Sequence, residues 1–275
     1  MSEASPIADA RTFLFVPGDR PDRFAKAWAS GADVVVLDLE DAVAPAAKEA
    51  ARRAVADWLD PAHPVAVRIN GATTPWWSAD VALQRLPGIL AIMQPKAEDD
   101  GAIAALTLPV IALVESARGV EDMRAVARLP QVVRMALGAI DLALDLDMTA
   151  GDAALDPVRL QMVIAARAAG LPAPIAGVST DFADPARIAA EAAAARRIGF
   201  GAKLCIHPAQ IGPTRDAFRP TAAEVAEAYD VIAASEAAGG GAIARRGQML
   251  DAPVVGRARR VIAAHLATAS RDQVS

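Results

Sequence analysis

Val110-Ile-Ala-Leu-Val-Glu-Ser-Ala-Arg-Gly119 is an apolar run that stops on an acid, with polar and glycine punctuation behind it. A second stretch of the same design, Met135-Ala-Leu-Gly-Ala-Ile-Asp-Leu142, follows one structural repeat later. Continuous apolar runs of this length, without polar alternation, are what a parallel strand needs when both of its faces are covered. Glu115 and Asp141 are then expected to emerge side by side where two neighbouring strands leave the sheet. Such a pair suits a hard divalent cation.

Working outward, runs of this kind recur at Phe13 to Gly18, Val34 to Asp41, Val65 to Asn70, Ile89 to Lys96, Val110 to Ser116, Val132 to Asp141, Ile175 to Ser179 and Ala202 to Pro208. Between several of them lie segments with helical spacing: Ala46 to Leu59, Val120 to Arg128, Pro157 to Ala169 and Pro185 to Arg197. Gly31, Gly170 and Gly199 supply stops. Eight strand-helix alternations predict a (β/α)8 TIM barrel, and the chain of 275 residues, 54% apolar, is large enough to fill one. The doubly wound open sheet competes, but no glycine-rich nucleotide-binding motif follows the first strand.

After Pro220 the texture changes. Thr221 to Ala238 reads as a helix with Thr221 and Glu224 at capping-box spacing. Gly239-Gly-Gly241 reads as a joint, Ile243 to Asp251 carries little regular pattern, and Pro253 to Ala269 reads as a closing helix. Residues 11–220 are thus expected to form the barrel, and 221–275 C-terminal helices and a tail that packs on a neighbouring subunit.

A net charge of −5 and the absence of like-charge runs argue against nucleic-acid and membrane partners. One cysteine excludes an internal disulfide. Met1 to Ala10 lacks the pattern of a signal peptide, and no apolar run reaches the ~18 residues of a membrane span. The expectation is a soluble, cytoplasmic protein that acts on a small molecule.

Functional groups of such barrels gather at the C-terminal strand ends. There the sequence places Asp38, Glu40, Asp41, Arg68, Lys96, Glu115, Asp141 and His207. Oxygen-only ligation by Glu115 and Asp141 favours Mg²⁺, or Mn²⁺, over Zn²⁺. Arg68 interrupts an apolar run, so its guanidinium needs a carboxylate: Asp38 or Glu40 as a structural partner, a substrate carboxylate as a functional one, or both. Asp38 and Glu40 share a strand face, and Asp41 is expected to cap the loop or the next helix. His207 is read as shaping the turn before Pro208, Cys205 as core and Trp76-Trp77 as a packing cluster. His63 and His265 receive no role.

Seven motifs taken together resemble the citrate lyase beta-subunit and malyl-CoA lyase family. They are Phe13-Leu-Phe-Val-Pro-Gly-Asp19, Val35-Val-Leu-Asp-Leu-Glu-Asp-Ala-Val43, Val67-Arg-Ile-Asn70, Leu113-Val-Glu-Ser-Ala-Arg-Gly119, Leu137-Gly-Ala-Ile-Asp-Leu142, Lys203-Leu-Cys-Ile-His-Pro-Ala-Gln210 and Met249-Leu-Asp-Ala-Pro253. The resemblance implies a TIM barrel assembled as a homotrimer or homohexamer, and cleavage of a 3-hydroxyacyl-CoA such as malyl-CoA, citramalyl-CoA or citryl-CoA to an acyl-CoA and a 2-oxo acid. It implies Glu115 and Asp141 as Mg²⁺ ligands, Glu115 and Arg68 as substrate-binding, and Arg68, Glu40 and Asp251 as catalytic. Asp251 would be contributed to the neighbouring subunit's site. Arg23, Lys26 and Lys96 are candidate partners for CoA phosphates. Family members commonly carry an acid where this chain has Ile140, and another where it has Ala176. Alternatives are a citryl-carrier lyase subunit, a malyl-CoA thioesterase, and a non-catalytic homologue that binds CoA or a 2-oxo acid.

Overall fold

Where every residue of a strand is buried, the chain has to be covered on both sides. The segments Val34–Asp38 (β2) and Val110–Val114 (β5) meet that condition at each position. They belong to a closed parallel barrel with Thr12–Pro17 (β1), Val65–Arg68 (β3), Ile89–Gln94 (β4), Val132–Leu137 (β6), Ile175–Ala176 (β7) and Ala202–Cys205 (β8), paired in sequence order. Pairing of Thr12 with Lys203 and of Leu14 with Cys205 closes the ring. The TIM barrel expected from the sequence is therefore the fold. The computed structural model describes residues 6–98, 101–149, 152–239, 242–245 and 248–272.

Helices return the chain between most of the strands: Phe24–Trp28 (α2), Lys48–Trp58 (α3), Trp77–Val81 (α4), Ala117–Val126 (α5), Ala139–Asp145 (α6), Asp156–Ala168 (α7) and Pro185–Ile198 (α8), while a single 3-10 turn, Ile103–Ala105, lies between β4 and β5, and Ile211–Phe218 (α9) follows β8. Gly199 ends α8 at φ 118°, a left-handed cap that only glycine adopts without strain. Most strands are shorter than the apolar runs that signal them, and β6 stops at Leu137, so Asp141 lies in the first turn of α6 rather than at a strand end.

Strand alternation builds the interior. Phe13, Val36, Ala66, Met93, Leu113 and Leu204 share one central cluster, while their neighbours in sequence face the helices. The lower layer contains a charge that the sequence reading passed over. Arg134 on β6 is 2% exposed, below Ala136 on the same face, and Pro6–Asp9 (α1) packs against its strand. Its Nη1 donates to the carbonyls of Ile7 and Ala10, both at 2.7 Å, and its Nε to that of Ala173 at 2.9 Å. The guanidinium also lies 5.4 Å from the Phe13 ring centroid. Burial lowers its pKa to about 10, and the three carbonyls replace lost water.

Contacts divide the chain into two compact units, Met1–Asp216 and Ala217–Ser275. In the second, Ala222–Ala237 (α10) has the Thr221–Glu224 capping box expected from its sequence. It packs against Ala252–Asp272 (α11) through Ala228, Val231, Leu250 and Ala258. The stretch read as patternless instead forms a hairpin, Ile243–Arg245 (β9) with Gln248–Leu250 (β10). Three-residue strands are too short to show a period of two above their surroundings. Gly239 has a φ of 68°, as a joint requires, while Gly240 and Gly241 lie outside the described residues. No helix among the described residues is long and apolar enough to cross a membrane.

Arg134→Met leaves three buried carbonyls without their donor. A loss of roughly 2–4 kcal/mol in unfolding free energy is expected, measured by urea denaturation. A loss below about 0.5 kcal/mol would show that the arginine does not hold the barrel floor.

Candidate active site

The interior alternation continues past the apolar layers, and two residues further on it delivers polar groups. Val36 leads to Asp38, Ala66 to Arg68 and Leu113 to Glu115. All three are buried: Asp38 is 1% exposed, Arg68 9% and Glu115 2%. The strands that hydrophobicity places in the core therefore carry charges into one protected mouth.

Arg68 and Asp38 form a two-point clamp, with Nε donating to Oδ1 at 2.7 Å and Nη2 to Oδ2 at 2.6 Å. This planar fork is the arrangement in which guanidinium and carboxylate bind best. Glu40 Oε2 lies 3.0 Å and Asp41 Oδ2 3.7 Å from Arg68 Nη1, and the Phe15 ring sits 4.7 Å from the guanidinium carbon. Burial works against the charge, but Asp38, Glu40 and Asp41 outweigh it and hold the pKa above its ordinary value. Structural pairing with Asp38 and Glu40 is thus present together. Asp41, expected to cap a loop or helix, turns toward Arg68; Asp38 does the loop bonding by accepting from the amides of Glu40 and Ala42.

A second layer fixes this loop and the next strand end. The Lys48 ammonium, buried at the start of α3, donates to the carbonyls of Leu39 at 2.8 Å and Glu40 at 2.7 Å, and lies 5.3 Å from the Trp76 ring. Asp80 on α4 is fully buried and accepts from Arg52 Nε, the Asn70 amide and Asn70 Nδ2. Trp77 donates its indole N–H to Gln94. Both tryptophans are half-buried: Trp76 faces the Lys48 ammonium, and Trp77 ties α4 to β4. Lys48 and Asp80 were missed because in sequence they look like ordinary surface charges of a helix.

Glu115 follows β5 and is anchored on one side only. Its Oε1 accepts the Lys96 amide at 2.9 Å, while its Oε2 is buried with no hydrogen-bond partner. Lys96 reaches this point in a left-handed backbone, φ 47°, unusual for a residue with a side chain. Its ammonium lies 3.3 Å from Glu40 Oε1 and 3.9 Å from Glu115 Oε1. Lys96 therefore turns toward the acid pair, and the idea that it serves a CoA phosphate has no support in its geometry. Arg23 and Lys26, behind β1, are exposed and are not brought to the acids.

Burial, Glu40 and Asp141 push the Glu115 carboxyl up to about 8. Burial and the nearby Asp41 and Asp38 charges push Glu40 up to about 7, against the pull of Arg68 and Lys96. An unpartnered oxygen, crowded acids and raised proton affinity describe a site short of positive charge. Gly138 keeps the space open: a Cβ there would meet Glu115 Cβ and Oε2 at 2.5 Å. Among the described residues no group of three His, Cys, Asp or Glu makes a complete cation cage. Two carboxylates, Glu115 and Asp141, with water or substrate oxygens would fit a hard divalent cation.

His207 caps the turn after β8, its Nδ1 accepting the Ala209 amide at 3.1 Å, which matches the turn-shaping role read from the sequence. Cys205 is buried in the core and near Thr214. Asp251 precedes α11 and accepts the Val254 amide at 3.3 Å. It belongs to the second unit.

The protein is thus a TIM barrel with a carboxylate pair and a clamped arginine at its C-terminal mouth. Residues 11–208 match the HpcH/HpaI aldolase/citrate lyase family, and the chain belongs to it. A citrate lyase subunit beta-like protein of Mycobacterium tuberculosis is 40% identical over 259 residues, spanning 91% of this chain and 93% of that protein. An L-malyl-CoA/beta-methylmalyl-CoA lyase of Rhodobacter capsulatus is 33% identical, spanning 94% and 95%. The crystal structure of M. tuberculosis CitE in complex with magnesium, acetoacetate and coenzyme A superimposes with a TM-score of 0.85 at 39% identity. It covers 94% of this chain and 98% of that one.

The Glu115 carboxyl, raised to about 8 from an ordinary value near 4.5, binds more protons folded than unfolded between those values. Its contribution to stability is full below about pH 4.5 and is lost as pH rises through 8. A divalent cation held by Glu115 would have to displace that proton, so its affinity would climb with pH up to about 8, by as much as about tenfold per unit. Thermal melts in EDTA and in Mg²⁺ from pH 5.5 to 8.5 should show the Mg²⁺-induced rise in Tm growing with pH. A rise independent of pH would mean that Glu115 is already ionised.

Proposed function

We propose that this chain is a Mg²⁺-dependent carbon–carbon lyase that cleaves a 3-hydroxyacyl-CoA to an acyl-CoA and a 2-oxo acid. The observation that carries the reading is the buried, unpartnered Oε2 of Glu115 beside a clamped arginine. The magnesium and coenzyme A bound in that CitE structure, and the 2-oxo acids oxaloacetate and pyruvate bound with magnesium in other structures from M. tuberculosis, support it. A purely binding homologue would have little use for Arg68, Glu115, Asp141 and Asp251 together.

Glu115 and Asp141 would hold Mg²⁺, or Mn²⁺, whose Lewis acidity lowers the pKa of a chelated hydroxyl and stabilises charge on carbonyl oxygens. The chemistry asks the protein for three further things. The hydroxyl proton has to leave as the carbon–carbon bond breaks, and Glu40, with a pKa of about 7, is suited to take it. Charge on the forming 2-oxo acid has to be met, and Arg68 is held in one plane by Asp38 for that purpose. The electron pair of the broken bond passes into the thioester enolate, whose carbon must then gain a proton. Asp251, contributed by a neighbouring subunit of a homotrimer or homohexamer, is the donor in this reading. Arg23 and Lys26, exposed behind β1, remain candidates for the CoA phosphates.

Relatives at 34% and 36% identity are a citrate lyase subunit beta and a (3S)-malyl-CoA thioesterase, so the bond that breaks is the point at issue. Purified protein with Mg²⁺ should release acyl-CoA and 2-oxo acid in equal amounts from malyl-CoA or citramalyl-CoA. EDTA or Glu115→Ala should abolish both products, and Arg68→Ala should lower kcat about 10²–10³-fold. Free CoA without 2-oxo acid would identify a thioesterase, and activity only with a carrier-bound acyl group would identify a carrier-dependent subunit. Glu115→Ala and Asp251→Ala proteins, each inactive, should regain part of the activity when dissociated and reassembled together. No recovery from an assembled mixture would contradict a site shared between subunits.

A further inference from the structure

Of the 28 lysines and arginines in the chain, only Lys26, Lys48, Lys96 and Lys203 are lysines. Two of them reach the same residue, Glu40, and they are held very differently. Lys48 is buried, and its ammonium donates to the Leu39 and Glu40 carbonyls at 2.8 and 2.7 Å. The Lys96 side chain is half-exposed, and its ammonium keeps longer contacts, 3.3 Å to Glu40 Oε1 and 3.9 Å to Glu115 Oε1. Its stem runs past Gly71, where even an added Cβ would come no nearer to Lys96 Cδ than 3.9 Å. The first ammonium is locked into the loop, whereas the second rests on the acids with room beside it.

The backbone of Lys96 does a separate job. Its amide donates to Glu115 Oε1 at 2.9 Å from a left-handed conformation, φ 47°. One residue therefore fixes the position of Glu115 through its amide and brings it a positive charge on a loosely held arm. That charge favours the ionised form of both Glu40 and Glu115, as a counter-ion does. A divalent cation on Glu115 would add two positive charges beside the ammonium, and like charges repel across such separations even where water screens them in part. The lysine and the cation contend for one carboxylate.

We propose that the Lys96 ammonium is a built-in competitor of the divalent cation: it serves Glu40 and Glu115 as counter-ion, yields Glu115 when a cation binds, and so limits how tightly the cation is held. The inference rests on the lyase reading for the cation at Glu115 and adds to it the residue that sets the cation's affinity. Lysine suits this part better than arginine. A guanidinium would grip the carboxylate at two points and resist displacement, whereas an ammonium is a single point charge on a flexible stem.

Mn²⁺ titration at pH 8.0 and low ionic strength, followed by electron paramagnetic resonance, compares the wild-type protein with Lys96→Met and Lys96→Arg. Lys96→Met should bind Mn²⁺ roughly three- to tenfold more tightly, because the charge removed is half-exposed but acts on a doubly charged ion. Added salt should shrink that gain. Lys96→Arg should bind Mn²⁺ more weakly than the wild type. Circular dichroism checks that the variants are folded, and Lys96→Asn, suited to a left-handed backbone, replaces Lys96→Met if that protein does not fold. Equal or weaker binding in the charge-free variant, or equal or tighter binding in Lys96→Arg, would overturn the inference and leave the lyase reading intact. Absence of Mn²⁺ binding by the wild-type protein would overturn the lyase reading and this inference with it.

Discussion

Burying a carboxylate with one of its oxygens unpartnered is costly, and this protein does so at Glu115, whose other oxygen has the Lys96 ammonium 3.9 Å away. One oxygen is tied to the Lys96 amide, the other is enclosed and unpartnered, and the proton affinity of the group rises accordingly. Much of the mouth is arranged so that this state persists. Gly138 leaves room beside the unpartnered oxygen, Lys96 holds a left-handed backbone to present its amide, and Asp38 confines the neighbouring guanidinium to its own plane. A hard divalent cation at that oxygen would relieve the deficit, which connects the electrostatics of the fold to the proposed chemistry.

The barrel supplies the precision. Strand alternation places Val36, Ala66 and Leu113 in the central cluster, and the same period then fixes the direction in which Asp38, Arg68 and Glu115 depart. Packing below determines positions above, because a strand that slipped by one residue would exchange its interior and exterior sets. Arg134 closes the opposite end, where its bonds to the Ile7 and Ala10 carbonyls hold the first residues of the described chain across the barrel floor. Charge at the top is incompletely paired and open to the proposed ligands; charge at the bottom is saturated by backbone. That contrast separates function from stability on one scaffold.

Much of this was legible in the sequence because it follows from periodicity. Unbroken apolar runs announced eight covered strands, and acids or an arginine at their ends announced the mouth. What escaped depends on tertiary geometry. Lys48 and Asp80 lie on helical segments and look solvated until the loop carbonyls and Asn70 are placed beside them. Lys96 looked like a rim cation because nothing in Gln-Pro-Lys reveals a left-handed turn toward Glu115. Asp141 was assigned to a strand because Gly138 ends β6 inside a run that stays apolar. The β9–β10 hairpin is too short for its alternation to stand out.

Glu115, with one oxygen left unpartnered, is proposed to be held ready for a divalent cation. Mn²⁺ titration followed by electron paramagnetic resonance tests it in the wild-type protein, Glu115→Gln and Gly138→Ala. The account predicts one Mn²⁺ per chain in the wild type. Binding should weaken at least about tenfold in both variants, since one removes the charge and the other fills the space beside it. Wild-type affinity in Glu115→Gln would contradict the account, because the cation would then be held by something other than this carboxylate.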